Sequence, residues 1–279
     1  MEQSWNERNL EYQLLQLIQS MAPAGEVSYI VVKLNEEGGF TPILSHNENM
    51  VHASASMIKV LIMATLFHEA RLGYKDLTEK IDLWSMPPVM GGGALQELIE
   101  PHHFTCLELC RLMMVLSDNW ATNLLIQHLG FDAINGYSKS IGMEHTELKR
   151  FMMDSEARKE GRENLMTVSD LMKLYEALYI QRHDERIGQE MWNILGRQQF
   201  RDKLPFYWGE DTRFYHKTGS LEDVEHDGGL LPLGDEMFGI GVFISKVPNP
   251  VGIAMGATMG ERIKAFLEDR RGPAHGNRH

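Results

Sequence analysis

Only two cysteines, Cys106 and Cys110, occur among the 279 residues. That number excludes a disulfide framework, and their i, i+4 spacing in a helical pattern places both thiols on one face. A polybasic block is also missing, and the formal net charge is -12, so the chain lacks the clustered cations that neutralise nucleic-acid phosphates. The opening stretch "MEQSWNERNLEYQLLQLIQSMAPAG" has neither a basic n-region nor a continuous apolar run, which argues against a secretory signal and a membrane anchor. These absences predict a cytoplasmic protein with no nucleic-acid or membrane partner; a trimmed signal peptide would make it secreted or periplasmic. Internal repeats and linkers are absent too, so residues 1–279 are expected to form a single domain.

What is present is ordinary for a chain with a sizeable core: 43% hydrophobic and 24% charged residues. Strand patterns gather at the two ends. "VSYIVVKL" and "TPILSH" are joined across the hairpin signal "NEEGGF", and "RFYHKTG", "EHDGGLLPL" and "MFGIGVFIS" follow late in the chain, separated by Gly, Pro and Asp. Between them lie apolar runs of helical length, among them "MIKVLIMATLFHEA", "CLELCRLMMVL", "NWATNLLIQHLG" and "SDLMKLYEALYI". Residues 10–20 and 261–268 read as amphipathic terminal helices. The fold class predicted is α/β, as an α+β sandwich. In it an antiparallel sheet from residues 1–53 and 209–279 is flanked by the terminal helices, and residues 54–208 form an inserted all-helical subdomain.

The stretch "SASMIKV" places a serine and a lysine three apart at the start of a helix that is apolar almost all round. A helix beginning near Ser56 sets Lys59 one turn on, beside the hydroxyl. Burial disfavours the ammonium, and a neutral amine can take a proton from serine. Unpaired N–H groups of the first helical turn add part of an oxyanion site. Taken alone, the plainer reading is Ser56 as an N-cap with Lys59 reaching to the rim.

Two further stretches carry matching chemistry. Ser117-Asp118-Asn119 falls at a turn between two helices, where a hydroxyl and an amide could project into a cleft, although Ser, Asp and Asn are also common caps. His216-Lys217-Thr218-Gly219 ends a strand with a cation, a hydroxyl and a glycine that leaves room for a substrate.

The three stretches, taken in order, resemble the S-x-x-K, S-D-N and K-T-G set of class A β-lactamases and penicillin-binding proteins, and the resemblance spans most of the chain. It implies the β-lactamase/DD-peptidase-like fold and acyl transfer through a covalent ester, with no cofactor and no metal. By that resemblance Ser56 is the acylated nucleophile and Lys59 its proton partner. The N–H groups of Ser56 and Ser220 form the oxyanion hole, and Ser117 carries a proton to the leaving nitrogen. Asn119 binds the substrate amide, and Lys217 and Thr218 anchor a carboxylate beside Gly219. The implied partner is a small β-lactam-like amide or ester; oligomeric state is left open.

Two departures from that family stand out. The loop "KRFMMDSEARKEGRENLMTVSD" puts Met152 or Met153 where class A enzymes carry the glutamate that activates deacylating water. Asp154, Glu156 and Glu163 are the nearby carboxylates that could replace it. After K-T-G, where many relatives hold a carboxylate-binding arginine, the chain reads "EDVEHDGGLL", with Glu225, His226 and Asp227. Arg262 could substitute, though an exposed helix arginine is the plainer reading, and His226 reads as a strand-surface residue rather than a functional one. His102, His103, Cys106 and Cys110 could ligate zinc but fit a plain core and loop better. "GGGALQEL" lacks the lysine and preceding strand of a phosphate loop and is expected to border the cleft. Lactam hydrolysis is thus the leading expectation. The alternatives are a cytosolic esterase or peptidase of the same fold, and a slow-turnover acyl-accepting domain.

Overall fold

A computed structural model describes residues 5–35, 38–184 and 187–270. In chain order the elements begin with α1 (Trp5–Met21), β1 (Glu26–Leu34), β2 (Phe40–His46), β3 (His52–Ala53), α2 (Ile58–Arg71), β4 (Lys80–Asp82) and β5 (His103–Thr105). Next come α3 (Cys106–Val115), α4 (Asn119–Leu129), α5 (Phe131–Ser140), α6 (Ser155–Lys159), β6 (Leu165–Met166), α7 (Val168–Gln181) and α8 (Gly188–Leu195). The chain then returns to β7 (Tyr215–Leu221), β8 (Val224–Leu233), β9 (Glu236–Ser245) and α9 (Asn249–Arg270).

Five of the strands form one antiparallel sheet in the order β2-β1-β9-β8-β7. The terminal strands expected from sequence therefore pair as anticipated, and β7, which carries Lys217, is an edge. Inner strands β1, β8 and β9 are buried along most of their length because helices cover both faces, which is why they read as near-continuous apolar runs. One apolar cluster packs α1 and α9 against the sheet, through Leu10, Leu14, Met255 and Ile263. The other packs α2, α3, α4 and α7 on the opposite face. Helix α2 lies at its centre, with every residue from Ile58 to Phe67 buried.

Some local features were not legible. The two-stranded pairs β3–β6 and β4–β5 are too short to show a period. Helix α9 starts at Asn249, twelve residues before the predicted boundary at residue 261. Its first half is broken up by Gly252, Gly256 and Gly260, which ordinarily argue against a helix. Here they let it press close, with a Cβ on Gly252 falling 3.2 Å from the Glu225 side chain and one on Gly256 3.4 Å from that of Lys203. In the β1–β2 hairpin, Gly38 takes the predicted turn conformation with φ 90°; Glu36 and Glu37 lie outside the described residues. Among the described residues no helix is long and apolar enough to cross a membrane.

Candidate active site

Ser56 sits in a 3-10 turn, Ala55–Met57, that leads directly into α2. The turn is held from several sides. Ser54 N donates to Asn164 O at 2.7 Å, and Ala55 adopts a left-handed φ of 46°, a strain that non-glycine residues tolerate only where surrounding structure enforces it. Strand β7 presses against it at Gly219, where an added Cβ would lie 3.1 Å from the Ser56 backbone nitrogen. A side chain there would push the edge strand off the turn, which explains the glycine better than chain flexibility does.

Lys59, one turn on, is wholly buried. Its Nζ donates to Ser117 O at 2.7 Å, to Asn119 Oδ1 at 2.9 Å and to Ser117 Oγ at 3.1 Å. Lys217, also wholly buried, donates to the same Ser117 Oγ at 3.1 Å and to Thr218 O at 2.7 Å. The three motifs thus converge on one hydroxyl. Burial lowers the Lys59 pKa to about 7, opposed by the negative Asp118. Burial also pushes Lys217 well below the usual lysine range, helped by the positive charges of Lys59 and Lys203 and opposed by Asp227. With three bonds donated, protonated Lys59 has no lone pair to offer; losing one proton gives it one.

Ser117 joins α3 to α4 with a left-handed φ of 56°, a second strained residue at this point. Asp118 caps α4 by accepting from Ala121 N at 2.9 Å, and its other oxygen accepts from Ala94 N at 2.7 Å and Leu95 N at 2.8 Å. The middle residue of S-D-N therefore ties the glycine-rich loop to the cleft, a role that its capping signal alone did not disclose. Asn119 is committed too, receiving Lys59 and donating Nδ2 to Met90 O at 3.3 Å. Ser56, Ser117, Asn119, Thr218 and Ser220 line a cleft of about 460 Å³, with Gly91 and Gly92 on its rim, as expected of that loop.

The family model for the beta-lactamase enzyme family matches residues 9–267. The chain belongs to the beta-lactamase enzyme family. Among solved structures, a beta-lactamase from Sphaerobacter thermophilus is 27% identical at TM-score 0.80, covering 91% of this chain and 96% of its own. A mutant of PBP-A solved as an acyl-enzyme complex with penicillin G is 23% identical at TM-score 0.81, covering 94% and 97%. The TLA-1 extended-spectrum beta-lactamase reaches TM-score 0.82 at 16% identity, over 94% and 99%. These likenesses establish the class A β-lactamase fold. No curated protein matches the chain significantly.

The loop over the cleft carries the methionines and carboxylates singled out from the sequence. Met152 and Met153 both line the cleft; Met152 is buried and its backbone is clasped by Asn123, while Met153 is exposed with a left-handed φ of 61°. Glu163 also lines the cleft, but it accepts from Arg150 at 2.6 Å, from Arg158 at 3.2 Å and from Asn164 N at 2.9 Å. Asn164 Oδ1 in turn receives Lys149 N and Arg150 N, so Glu163 and Asn164 clasp the two ends of the loop together. Asp154 lines the cleft and caps α6 through Ala157 N at 2.9 Å. Glu156 pairs with Lys159 at the surface with 77% of its side chain exposed, and it is not among the cleft-lining residues.

The region after K-T-G differs from expectation as well. His226 is not a surface residue: it is fully buried, receives Ile244 N at Nδ1 and donates from Nε2 to Ala53 O. Sequence periodicity could not reveal this, because β8 is covered on both faces. Arg262 lies behind the sheet, donating to Gln13 O at 2.8 Å. The cation that lines the Ser220 end of the cleft is Lys203, carried by a loop stretch with no motif around it. Cys106 and Cys110 are free and buried, and burial pushes the Cys106 thiol up to about 11. Among the described residues no group of His, Cys, Asp or Glu is arranged to hold a metal ion.

Proposed function

We propose that this protein is a serine hydrolase that forms an acyl-enzyme at Ser56, with a β-lactam-type cyclic amide as its leading substrate class. The observation that carries the reading is the shared hydroxyl: Ser117 Oγ receives both Lys59 and Lys217 at 3.1 Å beside the nucleophile turn. Neutral Lys59 takes the Ser56 proton as Oγ bonds to the substrate carbonyl carbon. The C–N bond then breaks, and Ser117 passes a proton to the departing nitrogen while Lys217 biases that hydroxyl to give it up. The ester that remains is released by water. The acyl-enzyme of the structurally similar PBP-A mutant with penicillin G supports this chemistry.

Release is the weak step. Met152 and Met153 offer no base, and Glu163 is held by two guanidinium groups. This favours slow turnover, and so the reading of a long-lived acyl adduct, over a fast lactamase. The physiological substrate is an amide or ester that the same step would open. The test is intact-mass measurement after brief incubation with a penicillin, beside Ser56→Ala and an assay of lactam loss. A covalent adduct absent from Ser56→Ala is expected, outlasting the incubation. The absence of both an adduct and Ser56-dependent lactam loss would reject the assignment.

A further inference from the structure

At the Ser220 end of the cleft, Lys203 and Glu225 form an ion pair at 3.0 Å, with side-chain exposures of 4% and 3%. Lys203 also meets Asp202 at 3.3 Å. Glu225 is fixed in place: Ser220 Oγ donates to Oε2 at 2.7 Å and Asn249 Nδ2 to Oε1 at 2.7 Å. Asp227 stands behind, receiving His216 Nδ1 at 2.7 Å and Leu204 N at 3.1 Å. The three carboxylates hold Lys203 protonated, above the usual lysine range against the effect of burial.

The remainder of the cleft offers no spare positive charge either. Its lining contains the cations Arg150, Arg158 and Lys203 and the carboxylates Asp154, Glu163, Asp202 and Glu225. Each of the three cations already faces a carboxylate, at 2.6, 3.2 and 3.0 Å respectively. Lys59 and Lys217 lie beneath the floor, where burial favours their neutral forms. A substrate carboxylate docking beside Ser220 would have to displace an ion pair and would then face Glu225. At that end two carboxyl groups, Asp202 and Glu225, share the single cation Lys203, so the local charge balance opposes an incoming anion, and desolvation strengthens the repulsion. Glu225, with one lone-pair direction still open, suits an incoming N–H.

We propose that the cleft selects acyl donors that carry an uncharged carboxamide or ester, rather than a free carboxylate, at the Ser220–Glu225 end. This rests on the assignment of Ser56 as nucleophile and names the substrate class of that same site. Glu225 is the specificity-determining residue, and Lys203 and Asp202 set its charge balance.

The test uses a matched pair, a penicillin and its methyl ester. Acylation rates of the parent protein are read by intact mass, and equilibrium binding of both compounds is measured on Ser56→Ala. The ester is expected to acylate faster and to bind Ser56→Ala tighter, each by about tenfold. Glu225→Gln should move the acid-to-ester ratio toward the acid by about tenfold, a change in ratio that general loosening of the fold would not produce. Asp202→Asn, at a half-buried position, should move it the same way by a few-fold and serves if Glu225→Gln does not fold. Acid bound as tightly as ester, a ratio unmoved in both variants, or no binding of either compound would overturn the inference. Ester preference on Ser56→Ala without any acylation of the parent would keep it and reject the nucleophile assignment instead.

Discussion

His226 donates its Nε2 proton to the carbonyl oxygen of Ala53, 2.9 Å away, and so fixes from β8 the stretch that leads into the Ser56 turn. Nδ1 of the same ring accepts from Ile244 N at 3.1 Å, which leaves the imidazole neutral. His52 lies beside it, with ring centroids 5.5 Å apart, and exchanges hydrogen bonds with Ser28 Oγ and Ser245 Oγ. Burial lowers His226 to about 3 and His52 to about 4. The unfolded chain binds these two protons near pH 6.5 and the folded chain only near 3 and 4, so acid favours unfolding between those values. Stability should therefore be fully present above about pH 6.5 and fall by about 1.4 kcal/mol per histidine per pH unit below it. Urea denaturation at pH 7 and pH 5 should differ by about 4 kcal/mol, with the slope about halved in His226→Gln. Equal stability at the two pH values would show that both rings carry a proton in the fold.

Glu163 clasps the loop through Arg150, a guanidinium whose side chain is only 8% exposed. Replacing one partner of such a pair strands the other, at a cost of about 3 kcal/mol. Glu163→Gln should therefore lower the urea midpoint and expose residues 150–164 to limited proteolysis, while the lifetime of the penicillin adduct changes little. A carboxylate acting as hydrolytic base would behave in the opposite way: the variant would keep its stability and accumulate acyl-enzyme. The two measurements together separate clasp from base.

How much was legible follows from which signals are local. The apolar runs of β1, β8 and β9 and the all-round apolar α2 record burial directly in the sequence, and the three short motifs singled out Ser56, Lys59, Ser117 and Lys217; the fold sets Lys59 and Lys217 on Ser117 Oγ and lines the same cleft with Ser56 and Ser117. What stayed hidden depends on distant partners. Lys203 looks like any loop lysine until α9 and β8 close around it, and Glu163 looks like a solvated acid until Arg150 folds back 13 residues to meet it. His226 reads as a surface residue because alternation vanishes in a strand covered on both sides. Helix α9 was cut short because its glycines serve close packing rather than chain termination.

Asp118 couples the stability of the cleft rim to the chemistry of its floor. It accepts from Ala94 N, Leu95 N and Ala121 N, and its charge raises the Lys59 pKa against the effect of burial. An amide at this position keeps the shape but turns an NH2 group toward at least one of those donors, costing about 1–3 kcal/mol. The kinetic effect has a definite sign. In the proposed mechanism acylation needs Lys59 without its proton, so the rate of Ser56 adduct formation should rise with pH through a midpoint near the Lys59 value of about 7. Removing the negative charge of Asp118 leaves burial less opposed, lowers that pKa further and moves the midpoint to lower pH. Rates of penicillin adduct formation from pH 5 to 9, compared for the parent and Asp118→Asn, should show the variant's rising limb displaced by roughly half a unit or more toward acid. A limb that stays in place, or moves toward alkali, would mean that Lys59 is not the group whose deprotonation admits the reaction.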